Sequence, residues 1–304
     1  MDKTIYFYIP DPMRLYDLNT RLFNRMETHP DRYRDNVKIG AVYGCFPGNI
    51  WNGGRVCVGS ASREQIEHCI QIHNYNQMPI RFTWTNVALK KKHLKDEECN
   101  WITKIAENGL NEILVNDPKL EKYIREKYPN YPLVSSTTKC LNDIDLVNEE
   151  LEKDYKMVVL DYRFNNDWEY LDAINHHDKC EILVNAACNP HCTRRAAHYL
   201  SLSQEQLKRT GTEPPEFASC GTYSRKFAEL KKFPTFISWD LIEKEYVPRG
   251  FKHFKIEGRN TNPMIVLEYY VHYFVKEEYQ DIEREYLSDG IIKMFLQPFY
   301  EIGE

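Results

Sequence analysis

Eight short apolar runs recur along this chain, each followed by room for a helix, and that alternation confines the fold more than any other feature. The runs are Ile5–Ile9, Lys38–Tyr43, Ile80–Trp84, Glu112–Val115, Leu133–Ser136, Met157–Leu160, Glu181–Val184 and His253–Ile256. They are near-continuous rather than strictly alternating, as strands covered on both faces are. The segments between them carry helix signals. Ser62 stands three positions before Gln65 in a capping-box arrangement, and Ile66, Cys69 and Ile70 follow at helical spacing. Asp96 is placed to cap a helix that stops at Gly109, Asp167 to cap one through Trp168 and Leu171, and Asn262-Pro263 to start a long one. Strands alternating with helices over the whole length require a parallel sheet. Eight such units in 304 residues predict closure into a TIM-type (β/α)8 barrel.

One interval breaks the period. Between the seventh and eighth runs lies a long insertion, residues 185–252, that holds Cys188, Cys192, Cys220, the Pro214-Pro215 pair and a further apolar piece at Thr235–Trp239. In barrels such insertions belong to the βα-loops at the C-terminal face, where active sites lie. No linker or low-complexity tract divides the chain, so residues 1–304 read as a single barrel domain carrying this cysteine-bearing insertion.

Composition excludes several classes. At 42% hydrophobic residues the chain can fill a core. Its net charge of -5 leaves no basic footprint for nucleic acid, and the Lys90–Lys92 run is answered at once by Asp96, Glu97 and Glu98. The start, Met-Asp-Lys leading into a strand cut off by Pro10, does not read as a signal peptide, and no apolar run approaches membrane-spanning length. A cytoplasmic protein is therefore expected, with no membrane association. In that compartment nine cysteines do not read as a disulfide framework, and are packing residues, reactive thiols or metal ligands.

The densest chemistry is Glu181–Tyr199, where Cys188 and Cys192 stand four apart with Pro190 between them, and Arg194, Arg195 and His198 beside them. Such a pair just past a barrel strand can converge on one ion, and soft thiolates select zinc or iron–sulfur clusters. The alternative is a set of buried thiols with no ligand. Cys69 and Cys99 fall in helical stretches and read as packing residues; Cys180 precedes its strand, at the opposite end of the barrel. His176-His177 reads as solvent-exposed sequence and not as a metal pair, because neighbouring helical positions point about 100° apart and do not easily share one ion. No HExxH or GxSxG is present, and no GxGxxG opens a helix.

The Glu181–Tyr199 run resembles the cysteine region of the U32 family, the collagenase-like peptidases, and is closest to a branch reading V-N-x2-C-x3-C. Phe254-Lys255-Ile256-Glu257-Gly258-Arg259 is similar to the F-K-I-E-G-R signature that closes the family's barrel, and Ile237–Ile242 sits where the family has a segment like I-x-P-E-D-L. The resemblance implies a (β/α)8 barrel with a 4Fe–4S cluster on four cysteines. It also implies oxygen-independent hydroxylation or a related anaerobic redox modification of a small molecule or peptide, with prephenate as oxygen donor, and it leaves room for a protein partner of the same family. Cys188, Cys192 and Cys220 carry over as ligands, although the family's better-known pattern spaces the first two more widely. For the fourth, Cys45, in a turn set by Gly44 and Pro47, is preferred to Cys140. The alternatives are a peptidase and a zinc-stapled barrel that binds without catalysing.

Residues just past strand ends line a barrel mouth. Glu257 and Arg259 follow the eighth run, and Asp161 and Arg163 the sixth. These four are the candidate catalytic residues, as a carboxylate-binding constellation or, equally, as salt bridges that fix the rim. Trp51–Arg55, with Gly53-Gly54, reads as a loop over the mouth.

Overall fold

Each apolar run becomes one strand: β1 Ile5–Pro10, β2 Val37–Gly44, β3 Ile80–Trp84, β4 Glu112–Val115, β5 Leu133–Ser135, β6 Met157–Val159, β7 Cys180–Leu183 and β8 His253–Lys255. The computed structural model describes residues 4–209, 214–217 and 226–300. In it the strands pair in sequence order, all parallel, into a closed barrel. Closure is made by β8 on β1, with Tyr6, Phe7 and Tyr8 in register with His253, Phe254 and Lys255.

The helices are α1 Tyr16–Thr28, α2 Arg63–Tyr75, α3 Glu97–Ile105, α4 Pro118–Lys127, α5 Ile144–Leu151, α6 Trp168–Asp172, α7 Arg195–Lys208, α8 Phe227–Leu230, α9 Trp239–Leu241, α10 Pro263–Phe274 and α11 Gln280–Tyr300. Their starts follow from their caps. Ser62 and Gln65 form the full capping box of α2, Asp96 accepts from Cys99 N at α3, Asp167 from Tyr170 N at α6, and Asn262 from Met264 N at α10. Helix α3 ends at Ile105, short of the expected Gly109, and Cys180 opens β7 instead of preceding it. Among the described residues no helix is long and apolar enough to cross a membrane.

Side-chain parity divides the core in two. Phe7, Ile9, Phe82, Ile113, Ile182, Phe254 and Ile256 point outward into the apolar layer under the helices. Tyr8, Tyr43, Leu114, Val134, Met157, Val159 and Leu183 pack with one another inside the barrel. The inward set also includes Arg81, Glu112, Glu181 and Lys255, all buried.

Two features anchor the periphery. In the long β7–β8 connection, Ile237 N donates to Val184 O at 2.8 Å, and the Tyr273 hydroxyl donates to Ile237 O at 2.8 Å, so the Thr235–Trp239 piece lies along the end of β7. On α11, the fully buried Glu283 accepts from Arg25 Nε at 2.9 Å, Arg32 Nη1 at 2.9 Å and the Tyr33 hydroxyl at 2.9 Å, which ties the last helix to the first βα unit.

Candidate active site

The chemistry begins inside the barrel. Arg81 on β3 reaches across it, donating to Glu112 Oε2 on β4 at 2.6 Å and to Glu181 Oε2 on β7, with the Tyr8 ring 3.9 Å from its guanidinium carbon. Lys156 takes the other oxygen of Glu112. Burial would raise the Glu181 carboxyl, but the charges of Arg81 and Lys255 overcome it and hold the group below the usual carboxylate range. The buried members of this set, Arg81, Glu112 and Glu181, stand there only because the charges answer one another.

Lys255 is the exception in that set. Its Nζ stands 3.3 Å from Glu181 Oε1, an oxygen that receives no hydrogen bond, and 4.1 Å from the centroid of Tyr43. Burial lowers its pKa to about 8, against the pull of Glu181 and helped by the nearby charges of Arg81 and Arg259.

Above this floor the C-terminal strand ends form the mouth. Asn185, just past β7, accepts from Glu257 N at 2.7 Å and donates to Glu257 O at 2.9 Å. Glu257 in turn lies 3.7 Å from Arg55. Arg259 projects onto the Trp51–Arg55 loop and donates to Asn52 Oδ1 at 2.8 Å, Thr83 Oγ1 at 3.1 Å and Gly53 O at 3.0 Å. The loop can lie so close only because residue 53 is glycine: a Cβ there would meet Thr85 O at 2.4 Å.

Among the described residues, three adjoining cavities at this mouth are lined by Arg259. The innermost, about 70 Å³, is bounded by Tyr43, Arg55, Thr83, Lys255, Glu257 and Tyr199 as well. A larger one, about 510 Å³, adds Asn185, Cys188, His198 and Tyr269. The third, about 290 Å³, reaches Cys45 and Cys57. Among the described residues Arg259 has no carboxylate partner, and its hydrogen-bond partners are all neutral. His198 stacks on Phe217, ring centres 4.4 Å apart, and burial together with Arg55 and Arg194 lowers it to about 4.

Asp161 and Arg163 form the rim salt bridge instead of facing the cavities. Asp161 Oδ2 lies 2.7 Å from Arg163 Nη2 and also pairs with Arg195, and neither Asp161 nor Arg163 lines the cavities that Arg259 lines. The expected constellation therefore splits: Glu257 and Arg259 face the mouth, while Asp161 answers both Arg163 and Arg195 at the rim.

The thiols are dispersed around the same face. Burial, with a hydrogen bond to Cys57, pushes Cys45 well up, and both line the third cavity. Cys188 packs against Tyr162, and Cys192 lies near Cys140 by the Asp161–Arg195 pair. Cys69 and Cys99 are buried on α2 and α3, as packing residues are. Among the described residues no three His, Cys, Asp or Glu side chains are arranged to hold a metal ion, so Cys45, Cys188 and Cys192 do not form a common cradle; Cys220 lies outside the described residues.

Sequence reasoning passed over Lys255, Tyr43 and Cys57. For Lys255 a signal exists: in His253–Glu257 polar residues alternate with Phe254 and Ile256, the period of a strand with one polar face. Cys57 lies beyond a turn from Cys45 and carries no local mark of the pairing.

No family model matches the chain, and no curated protein matches it by sequence. Among solved structures it is similar to that of the U32 peptidase Mk0906, with 12% identity, 84% of this chain and 93% of that chain covered, and a TM-score of 0.50. At that identity the likeness is one of architecture: the chain has the (β/α)8 barrel fold that the U32 peptidase also has.

Proposed function

We propose that this barrel is an enzyme acting on a small carboxylate-bearing molecule bound at its C-terminal mouth, with Arg259 receiving the carboxylate. One observation carries the reading: a guanidinium lines all three mouth cavities while only neutral oxygens satisfy it. Guanidinium and carboxylate match in geometry, and the pairing gains strength where water is excluded. Glu257, held by Asn185, and Arg55 complete a charged rim on which a ligand's polar groups can be sorted. The test is calorimetry with prephenate and with pyruvate. Binding of at least one is expected, weakened by about 2 kcal/mol in Arg259→Lys, which keeps the charge and loses the fork. No binding of either by the wild type overturns it.

A finer reading, oxygen-independent hydroxylation with a 4Fe–4S cluster and prephenate as oxygen donor, is supported by the cysteine run and the F-K-I-E-G-R segment. The position of Cys140, Cys188 and Cys192 around the Asp161–Arg195 pair on the mouth face also favours it. The described thiols do not themselves make the cradle, so no step is assigned to a cluster or to zinc. An anaerobic preparation decides it: a brown protein that loses iron and sulfide in Cys188→Ala and Cys192→Ala supports the cluster, and a colourless one that retains zinc supports the stapled barrel. Peptide hydrolysis, the activity in the structural neighbour's name, gains less support: Cys188 and His198 line one cavity, but no hydrogen bond joins them and His198 is stacked on Phe217.

A further inference from the structure

One charge inside the barrel is held less tightly than the rest. Buried Arg81 and Lys255, with the half-exposed Lys156 at the barrel's edge, face Glu112 and Glu181, with His253 beside the group and Arg259 above it. Arg81 takes hydrogen bonds to Glu112, at 2.6 Å, and to Glu181, and Lys156 takes the other oxygen of Glu112. Lys255 is left with one ion-pair contact at 3.3 Å that is not a hydrogen bond, and with the face of Tyr43. The same side chain, 6% exposed, lines the innermost mouth cavity together with Arg259, and both cations flank the Tyr43 ring.

A buried lysine in such a position, its pKa lowered to about 8, holds a share of neutral amine near that pH and is then a nucleophile toward carbonyl carbon. We infer that Lys255 forms an imine with a small carbonyl compound whose carboxylate sits on Arg259. This rests on the reading of Arg259 as the carboxylate site. The Nζ lone pair forms the new C–N bond while the C=O π pair moves to oxygen. That oxygen takes up two protons, equal to the two that nitrogen gives up, and the nitrogen pair freed by loss of an N–H proton forms the C=N π bond as the C–O bond breaks and water leaves with its pair. Glu181 Oε1, 3.3 Å from Nζ, holds the amine in place and faces the positive charge of the iminium as it forms. The step needs no oxidant or reductant, and water is its only by-product.

Reductive trapping tests this on the full chain. The protein is incubated with pyruvate, then with borohydride, and the adduct is located by peptide mass mapping; acetaldehyde, which has no carboxylate, runs in parallel. The expected result is a reduced pyruvyl adduct on Lys255, lost in Lys255→Met and at least tenfold slower to form in Arg259→Lys. Because mapping is done on the wild type, a variant that fails to fold does not leave the matter open. Pyruvate that binds by calorimetry yet leaves Lys255 unlabelled overturns the amine and spares the carboxylate site. Labelling of exposed lysines such as Lys122, with Lys255 untouched by either probe, also overturns it. Acetaldehyde labelling Lys255 as fast as pyruvate, with no effect of Arg259→Lys, supports the amine and overturns the carboxylate site.

Discussion

Asn185 and Glu257 exchange two hydrogen bonds, the side-chain amide of the first with the main-chain N–H and C=O of the second, and so join the rims of β7 and β8 where their own ladder has ended. The side chain thus does for two more atoms what a further strand residue would do. Asn185→Ala leaves the Glu257 N–H without its partner, and a loss of about 2 kcal/mol in unfolding free energy is expected. Since Arg259 is two residues on, carboxylate binding should weaken as well. Urea denaturation with calorimetry checks both, and a variant as stable as the wild type would remove Asn185 from this role.

Glu181 holds two cations, Arg81 and Lys255. Glu181→Gln keeps the shape and removes the charge, leaving Arg81, Lys156 and Lys255 against Glu112 alone. Breaking a buried ion set by removing one member costs about 3–5 kcal/mol. A shift in denaturant midpoint corresponding to less than ~1 kcal/mol would mean that water enters the barrel and screens these charges.

Lys255 makes stability depend on alkaline pH. Its folded pKa, lowered by burial to about 8, lies below the unfolded value of about 10.4. Between those values the unfolded chain binds more protons, so stability rises as pH rises from 8 toward 10 and is lost again on the way down. The span amounts to about 3 kcal/mol. It is read as the difference between wild type and Lys255→Met, which cancels the buried tyrosines. A difference that is flat with pH would contradict the assignment.

Histidines set the acid side. Burial lowers both His253 and His272 to about 4, so the folded protein binds fewer protons than the unfolded chain below about 6.5. Stability present above pH 6.5 is lost as pH falls toward 4, before the depressed carboxylates of Glu181 and Glu283 are protonated. Thermal melts of wild type and of His253→Gln with His272→Gln, taken from pH 7 to 4, should converge as the pH drops.

The strands were legible because each is short, apolar and closed off by polar residues, and helix starts were legible because a cap is a local signal: Ser62, Asp96, Asp167 and Asn262 each bond within three residues of themselves. The site was legible in part. Position after a strand end puts Glu257 and Arg259 at the mouth, and it puts Asp161 and Arg163 at the rim as well, yet the second partner of Asp161, Arg195, arrives on α7 and has no local mark near Asp161. The interior charges were missed for a similar reason. Arg81 and Glu181 are 100 residues apart, and nothing local to either announces the other. Treating β3, β7 and β8 as simply apolar hid the every-other-residue polar set that faces inward.

The Glu283 knot gives the molecule a late step in its making. Helix α1 and the turn at Arg32-Tyr33 are built from early residues, but Arg25, Arg32 and Tyr33 find their shared acceptor only on α11, and β1 finds its second neighbour only when β8 arrives. During synthesis the first strand therefore keeps an open edge, and those two guanidiniums face water, until nearly the whole of the described chain has emerged. A ribosome stalled after β7 should hold a protease-sensitive N-terminal unit, and protection of that unit should appear in one step once residue 283 is free.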